Sequence, residues 1–245
     1  MKRLALIDGD IITYSVGFAA EGEPLSHALH SVKQMLKRIQ EDSKCDESQI
    51  FLTGPNNYRI EAATCQPYKG NRKQPKPEHY LDIREYLEHR KEAIVTDGIE
   101  ADDALGITQT SPPEGYETVI CSIDKDLDMI KGEHYRWSGK REGTYHVSDR
   151  EAEEFFYTQL LTGDSGDNIP SMFKYCGAKA TKKVKQTILD AETTEDMYQA
   201  VLDAYNAGVV KHGKNWDLEP EEFIKEIGSL LWIQREAGEI WQPPK

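Results

Sequence analysis

The sequence predicts an α/β fold, a parallel-sheet core followed by a helical part, and three observations carry that prediction. Short apolar runs that end in polar residues alternate with stretches of helical period up to about residue 147. From Ser148 onward the pattern is helical throughout. Acidic residues recur where the predicted strands stop. Strand and helix in alternation imply a parallel sheet covered on both faces.

Leu4 to Ile7 (LALI), followed by Asp8-Gly9-Asp10, reads as a buried parallel strand with polar residues at its carboxyl end. Ser26 to Gln40 places Leu29, Val32, Leu36 and Ile39 at helical spacing, with Ser26 as the expected cap. A second strand is expected at Ile50 to Leu52. Asn71 to Pro77 is basic and broken by Pro75 and Pro77, so it reads as an irregular link. A charged helix then runs from Glu78 to Lys91, with Leu81, Tyr86 and Leu87 expected inward. Ala93 to Val95 is a short strand, Ala101 to Thr108 a helix and Thr118 to Cys121 a further buried strand. The later helices are expected at Asp149 to Leu161, Ala178 to Leu189, Thr194 to Ala207 and Pro220 to Arg235. Residues 1–147 and 148–245 are therefore expected to form an α/β core and a helical part, with no internal repeat.

A chain of 245 residues with 38% hydrophobic content is long enough to bury a substantial core. No run approaches the roughly 18 apolar residues that a membrane helix needs, and LALI is too short for a signal peptide, so a soluble cytoplasmic protein without a membrane partner is expected. Cys45, Cys65, Cys121 and Cys176 form no C-x-x-C pair, which argues against a zinc knuckle, a redox motif or disulfides. The formal charge of -13 argues at first sight against nucleic acid, because phosphate affinity comes from cations. Counted locally, that objection weakens. Lys69, Arg72, Lys73 and Lys76 crowd into YKGNRKQPK, and Lys179, Lys182, Lys183 and Lys185 into KATKKVK.

The acidic residues fall in groups: Asp8 and Asp10; Glu100, Asp102 and Asp103; Asp124, Asp126 and Asp128; and Asp164 with Asp167. Loops at the carboxyl ends of strands in an open α/β sheet converge on one crevice, so the first three groups are expected to be neighbours. A spacing of two residues on extended backbone sends both side chains of a pair to one side. Two such charges at about 4 Å repel by roughly 4 kcal/mol at an effective dielectric of 20, so protons or cations must neutralise them. Carboxylates without accompanying His or Cys suit Mg²⁺ or Mn²⁺ rather than zinc. Taken singly, each group has an ordinary explanation as a turn, a solvated loop or a first-turn acid on a helix dipole. Their joint placement at strand ends is what points to a site.

Tyr58-Arg59 and Tyr68-Lys69-Gly70-Asn71-Arg72 follow the second predicted strand, where cations could hold a phosphate; a solvated charge run is the ordinary alternative. Cys176-Gly177-Ala178 opens the second island at a predicted helix start, where N–H groups and lysines favour an anion. In order, IDGD, YKGNRK, GIEADDALG, CSIDKDLDMI, LTGDSGDNIPS and CGAKAT resemble the 5′-nuclease or flap-endonuclease superfamily, and within it the exonucleases of tailed phages. The motifs run from residue 7 to residue 181.

The resemblance implies a 5′-3′ exonuclease or flap endonuclease acting on duplex DNA with a 5′ end or flap, or on an RNA–DNA hybrid, as a monomer. It implies an arch at about residues 69–92 and a helix–two-turns–helix DNA grip at about residues 160–190. Carried onto this sequence, Asp8, Glu100, Asp102, Asp103, Asp124, Asp126, Asp164 and Asp167 would hold two Mg²⁺ or Mn²⁺ ions. Lys69 and Arg72 would contact the reacting phosphate, and Tyr14 would stack on the terminal base. Arg59, Tyr68, Lys73, Gly177, Lys179, Lys182 and Lys183 would contact DNA, with a K⁺ ion in the turn near Gly177. The sequence departs from the pattern at Thr53 and Gly54, where the family has a further metal-binding aspartate, and at Ser171 and Tyr175, where glycine is usual. Three other readings stay open: a phosphatase using Asp8 and Asp10, a non-catalytic protein that binds branched DNA, and a single-strand-RNA nuclease of the PIN class.

Overall fold

The computed structural model describes residues 1–244. The chain forms two compact units. The first comprises Met1–Asn57, Gln74–Ser148 and Ile233–Gly238, the second Tyr58–Lys73, Asp149–Trp232 and Glu239–Lys245. Residues 58–73, ahead of the expected boundary in sequence, thus cluster with the helical unit.

The first unit opens with β1 (Lys2–Asp8), α1 (Gly9–Ala19), α2 (Leu25–Asp42) and β2 (Glu47–Leu52). The helix Arg59–Ala62, α3, lies in the second unit. The first unit resumes with α4 (Tyr80–Lys91), β3 (Ile94–Val95), α5 (Ala101–Thr110), β4 (Tyr116–Cys121), β5 (Gly132–Arg136) and β6 (Gly143–Val147). The six strands form one sheet in the order β3-β2-β1-β4-β5-β6. All neighbours are parallel except β5 and β6. Alternation along the strands sends Ala5, Ile7, Ile50, Leu52, Val119 and Cys121 into one core with Ile12, Val16, Val32, Leu36, Ile39, Ile83 and Leu87 of α1, α2 and α4. Leu4, Leu6, Phe51 and Ile120 are buried on the alternate positions, and α5 packs against β1, β2 and β4.

Several local expectations change. α2 is capped at Pro24 without a side-chain bond, so Ser26 lies inside the helix and is not its cap. Leu81 is 74% exposed, and Ile83 takes the inward position with Leu87, because residues four apart share a helix face and Leu81 lies on the opposite one. α1 was not legible: its residues follow IDGD without a turn signal. β5 and β6 (GEHYR and GTYHV) carry too many polar residues for a hydrophobic run, as befits a strand pair at the sheet border.

The second unit adds α6 (Asp149–Thr162), α7 (Met172–Cys176), α8 (Lys182–Leu189), α9 (Thr194–His212) and α10 (Pro220–Leu231). Residues 178–181, expected to be helical, are not: Gly177 takes a left-handed φ of 74° and Thr181 caps α8 through the Val184 N–H. The core is aromatic. Tyr175 stacks on Phe223 at 4.2 Å and lies 5.5 Å from Tyr205, while Phe156 meets Trp232 and Trp241 edge-on at 4.9 and 5.2 Å. The hydroxyls of Tyr175 and Tyr205 find the carbonyls of Leu218 and Leu160, each at 2.7 Å, which removes the cost of burying them. Tyr175 and Ser171, the sequence departures, thus serve as a core residue and as the cap of α7.

Gly9 joins β1 to α1 where no side chain fits. A Cβ there would stand 2.7 Å from the Phe51 carbonyl and 2.8 Å from the Ile50 and Leu52 side chains. Gly9→Ala is expected to destabilise the protein by about 1–3 kcal/mol in urea unfolding, with an unchanged slope.

Candidate active site

The chain leaves β1 for β2 on one side and returns to β4 on the other, so the strand order reverses at β1 and a crevice opens at the carboxyl ends of β1 and β4. Asp8 ends β1 and is 2% exposed. Its Oδ1 caps α1 by accepting the Ile11 N–H at 3.1 Å, and its Oδ2 accepts the Ser122 hydroxyl at 2.8 Å. Ser122 Oγ in turn accepts the Asp124 N–H at 3.0 Å, and Asp124 Oδ1 accepts the Asp126 N–H at 2.9 Å, opening a 3₁₀ turn at Lys125–Met129. One hydrogen-bonded chain therefore links the ends of β1 and β4. Ser122, which no sequence argument singled out, is its middle member; its place between the strand and Asp124 was the available signal.

Burial pushes the Asp8 carboxyl up to about 7, and Asp10 and then Asp124 add to the rise, against the Ile11 N–H and the Ser122 hydroxyl. Asp8, Asp10 and Asp124 are therefore electrostatic neighbours, as their positions at strand ends imply. Asp10 is held differently, by Arg84 Nη1 at 2.7 Å and the Thr53 N–H at 3.0 Å.

The remaining acids divide by what they touch. Glu100 and Asp103 form a reciprocal capping box at the start of α5. Asp103 is fully buried, its Oδ2 accepting the Glu100 N–H and its Oδ1 the Gln234 N–H, each at 3.0 Å. Asp102 is half-buried in the first turn of α5. Asp126 is paired with Lys125 at 2.9 Å. Asp128 meets Arg136 at 3.2 Å and the Tyr145 hydroxyl at 2.6 Å, and Arg136 also donates to the Asp124 carbonyl at 3.1 Å, so the β5–β6 pair braces this turn. His134 is no candidate ligand: it is buried against the Ile130 carbonyl, and burial lowers its pKa to about 4. Among the described residues, no group of three or more His, Cys, Asp or Glu side chains forms a ready metal-ligand set. The donors nearest Asp8 are nonetheless all oxygen, the chemistry of Mg²⁺ or Mn²⁺.

In the second unit, Tyr68, Lys69 and Arg72 converge on Asp167. Tyr68 is 9% exposed and donates its hydroxyl to Asp167 Oδ2 at 2.7 Å. Lys69 Nζ stands 3.5 Å from the same oxygen, and Arg72 pairs with Oδ1. The 165–167 backbone is tied as well, its Asp167 carbonyl accepting the Lys69 N–H at 2.8 Å and its Ser165 carbonyl accepting the Asn71 side-chain amide at 2.6 Å. Asp164 accepts the Gly166 N–H at 2.8 Å and exchanges backbone bonds with Ile169. Gly163, with φ 61°, permits that turn, since a Cβ there would lie 2.5 Å from the Ile169 carbonyl.

Of the expected nucleic-acid residues, Lys73, Gly177, Lys179, Lys182 and Lys183 are exposed. Arg59 is not: at 2% exposure it donates to the carbonyls of Leu230 at 2.9 Å and Trp232 at 2.5 Å, satisfying the end of α10. Its expected place on a DNA surface is corrected to an internal cap, because orphan carbonyls at a buried helix end need a donor. In the first unit, Tyr14 is half-buried beside Tyr80, ring centroids 5.2 Å apart, and Lys76 lies 4.1 Å over the Tyr80 ring.

A mainly parallel sheet with an acidic crevice where its strand order reverses is the architecture of the PIN-like 5′-nuclease fold. The chain belongs to the family described as 5′-3′ exonuclease, N-terminal resolvase-like domain, which matches residues 3–156. It is 29% identical over 210 residues to DNA polymerase I of Bacillus caldotenax, covering 76% of this chain and 23% of that protein. The chain thus spans about a quarter of the length of the curated relatives it matches. Among solved structures, it resembles a bacteriophage T5 protein co-crystallized with metal ions (TM-score 0.66, 17% identity, 94% of this chain and 89% of that chain). It also resembles the T5 5′-exonuclease with bound zinc (TM-score 0.64, 20% identity, 94% of this chain and 89% of that chain).

The Asp8 carboxyl predicts a pH dependence. A folded-state value near 7 against the ordinary 3.8 means that the folded protein keeps a proton the unfolded chain has lost. Without divalent ions, stability contributed at this site is therefore full below about pH 4 and is lost as pH rises to about 7. Thermal unfolding in chelator is expected to show a wild-type Tm that falls between pH 5 and 8 more steeply than that of Asp8→Asn; equal slopes would contradict the assignment.

Proposed function

We propose that this protein is a divalent-metal-dependent nuclease that hydrolyses phosphodiester bonds in DNA from a 5′ end or at a 5′ flap. The observation that carries the reading is the buried Asp8–Ser122–Asp124 connection at the reversal of strand order, in a chain of the 5′-3′ exonuclease family. A carboxylate left among other carboxylates, with its pKa raised to about 7, is a group in need of a counter-cation. Asp8, Asp102, Asp124 and Asp126 are the half-buried or buried oxygen donors that would hold Mg²⁺ or Mn²⁺, together with Glu100 at the start of α5. When bound, such ions lower the pKa of water and stabilise charge on transferring phosphate oxygens.

The chain's own residues do the rest. Ser122 fixes the orientation of Asp8, and the Lys125–Met129 turn fixes that of Asp124. Lys69 and Arg72, which Asp167 holds in place, supply positive charge to the scissile phosphate in exchange for that ion pair. The exposed lysines of α8 and the αL turn at Gly177 supply the sequence-independent phosphate contacts of a helix–two-turns–helix grip, with K⁺ as a further occupant of the turn. Tyr14 offers a ring on which a terminal base stacks. Shape and backbone contacts of this kind would also accept an RNA–DNA hybrid. The protein acts as a monomer in this reading.

With 5′-labelled duplex and flap DNA, cleavage is expected to require Mg²⁺ or Mn²⁺ and to stop in chelator. Asp124→Asn and Lys69→Ala are each expected to lower kcat by at least about 10²-fold while retaining substrate binding. Cleavage in chelator, or full activity in both variants, would reject the proposal. In titrations at rising salt, Lys182→Ala/Lys183→Ala is expected to reduce the slope of log affinity against log salt by about one to two units, at an unchanged kcat.

A further inference from the structure

The carboxylates at the end of β1 are neutralised in different ways. Among the described residues, Asp8 receives only neutral donors, the Ile11 N–H and the Ser122 hydroxyl. Asp10 receives a full positive charge, with Arg84 Nη1 at 2.7 Å from Oδ1. The same guanidinium sends Nη2 to the Thr53 carbonyl at 2.7 Å, while Asp10 Oδ2 accepts the Thr53 N–H at 3.0 Å. Arg84 and Asp10 thus close a ring through the backbone of Thr53. Thr53 Oγ1 accepts the Ala101 N–H at 2.9 Å, which ties the start of α5 into the same ring. The side chains keep 18% and 26% of their exposure, so solvent screens this pair incompletely. The segment after β2 reads Thr53-Gly54-Pro55-Asn56-Asn57 and offers no carboxylate of its own.

We propose that Arg84 is a built-in cation that stands in for a divalent ion on the β2 side of the carboxylate group, so that Asp10 is neutralised without metal and is withheld from metal binding. The inference rests on the divalent-cation reading above and specifies where such an ion does not go. A guanidinium keeps its charge at every accessible pH, and its planar fork serves a carboxylate oxygen and a carbonyl oxygen at once, the two acceptors found here. Asp8 and Asp10 each accept two hydrogen bonds, but only Asp10 accepts one from a cation, so only Asp10 already has its charge offset. Without the guanidinium, Asp10 would stand as an uncompensated charge two residues from Asp8. Such an uncompensated pair is a vacancy that a divalent cation would fill.

The test counts Mn²⁺ bound per chain at pH 7.5, by electron paramagnetic resonance of free Mn²⁺ and by titration calorimetry, and measures Tm with and without Mn²⁺. Wild type, Arg84→Gln, Arg84→Lys and the double variant Arg84→Gln/Asp10→Asn are compared. Arg84→Gln is expected to bind one more Mn²⁺ per chain than wild type, and its Tm is expected to rise more on addition of Mn²⁺. Adding Asp10→Asn is expected to remove both gains. Arg84→Lys retains the charge and is expected to keep the wild-type count, which secures a reading if Arg84→Gln folds only with Mn²⁺ present. An Arg84→Gln count and Tm shift equal to wild type would overturn the proposal while leaving the nuclease reading intact, as would an extra ion in Arg84→Lys. Absence of Mn²⁺ binding in every protein would overturn both.

Discussion

One buried carboxyl group organises the carboxyl end of the sheet. Asp8 ends the central β1 strand, almost without solvent, and its neighbours are chosen to tolerate it. The α1 N-terminus supplies an N–H and the positive end of a helix dipole; Ser122 supplies a hydroxyl from the adjacent strand end. These donors are neutral, and burial with Asp10 and Asp124 nearby still raises the carboxyl to about 7. The arrangement is stable enough to fold and short of one positive charge. That deficit gives a fold of ordinary α/β topology its chemical character.

The other acids show that an aspartate near a site need not belong to its chemistry. Asp103 is fully buried and spent on backbone N–H groups of Glu100 and Gln234, where it fixes the start of α5 and the returning segment Ile233–Gly238. Asp128 is spent on Arg136 and Tyr145, and so anchors the turn that presents Asp124 and Asp126. Asp10 is spent on Arg84. Charge in this crevice is therefore graded, from fully compensated side chains that hold the backbone to Asp8, which is not compensated.

The helical unit solves the opposite problem. Here two cations, Lys69 and Arg72, share one carboxylate, Asp167, and Tyr68 donates to the same group. The Lys69 N–H on the Asp167 carbonyl and the Asn71 side-chain amide on the Ser165 carbonyl make the two motifs one local structure despite their distance in sequence. A long cation with a fixed partner has already given up rotamer entropy in the fold.

The sequence by itself determined the alternation of strand and helix, the strand ends at Asp8 and Cys121, the left-over carboxylates and the lysines of α8, because each is a local pattern of period, cap or charge. It also carried the family motifs in order. It did not show α1, whose buried positions Gly9, Ile12, Thr13, Val16 and Gly17 keep a helical period but include two glycines and a threonine that hydropathy does not mark, or the antiparallel β5–β6 pair, whose residues lack a clean period and whose order comes from neighbours in the sheet. Nor could it sort cations by role. Arg59 looks like a phosphate ligand and is a buried cap of α10, and Arg84 looks like one more charge on a solvated helix and is the partner of Asp10. Only the tertiary structure decided which charges meet, because an ion pair is fixed by distance in space and by access to water, and neither quantity is written in the order of residues.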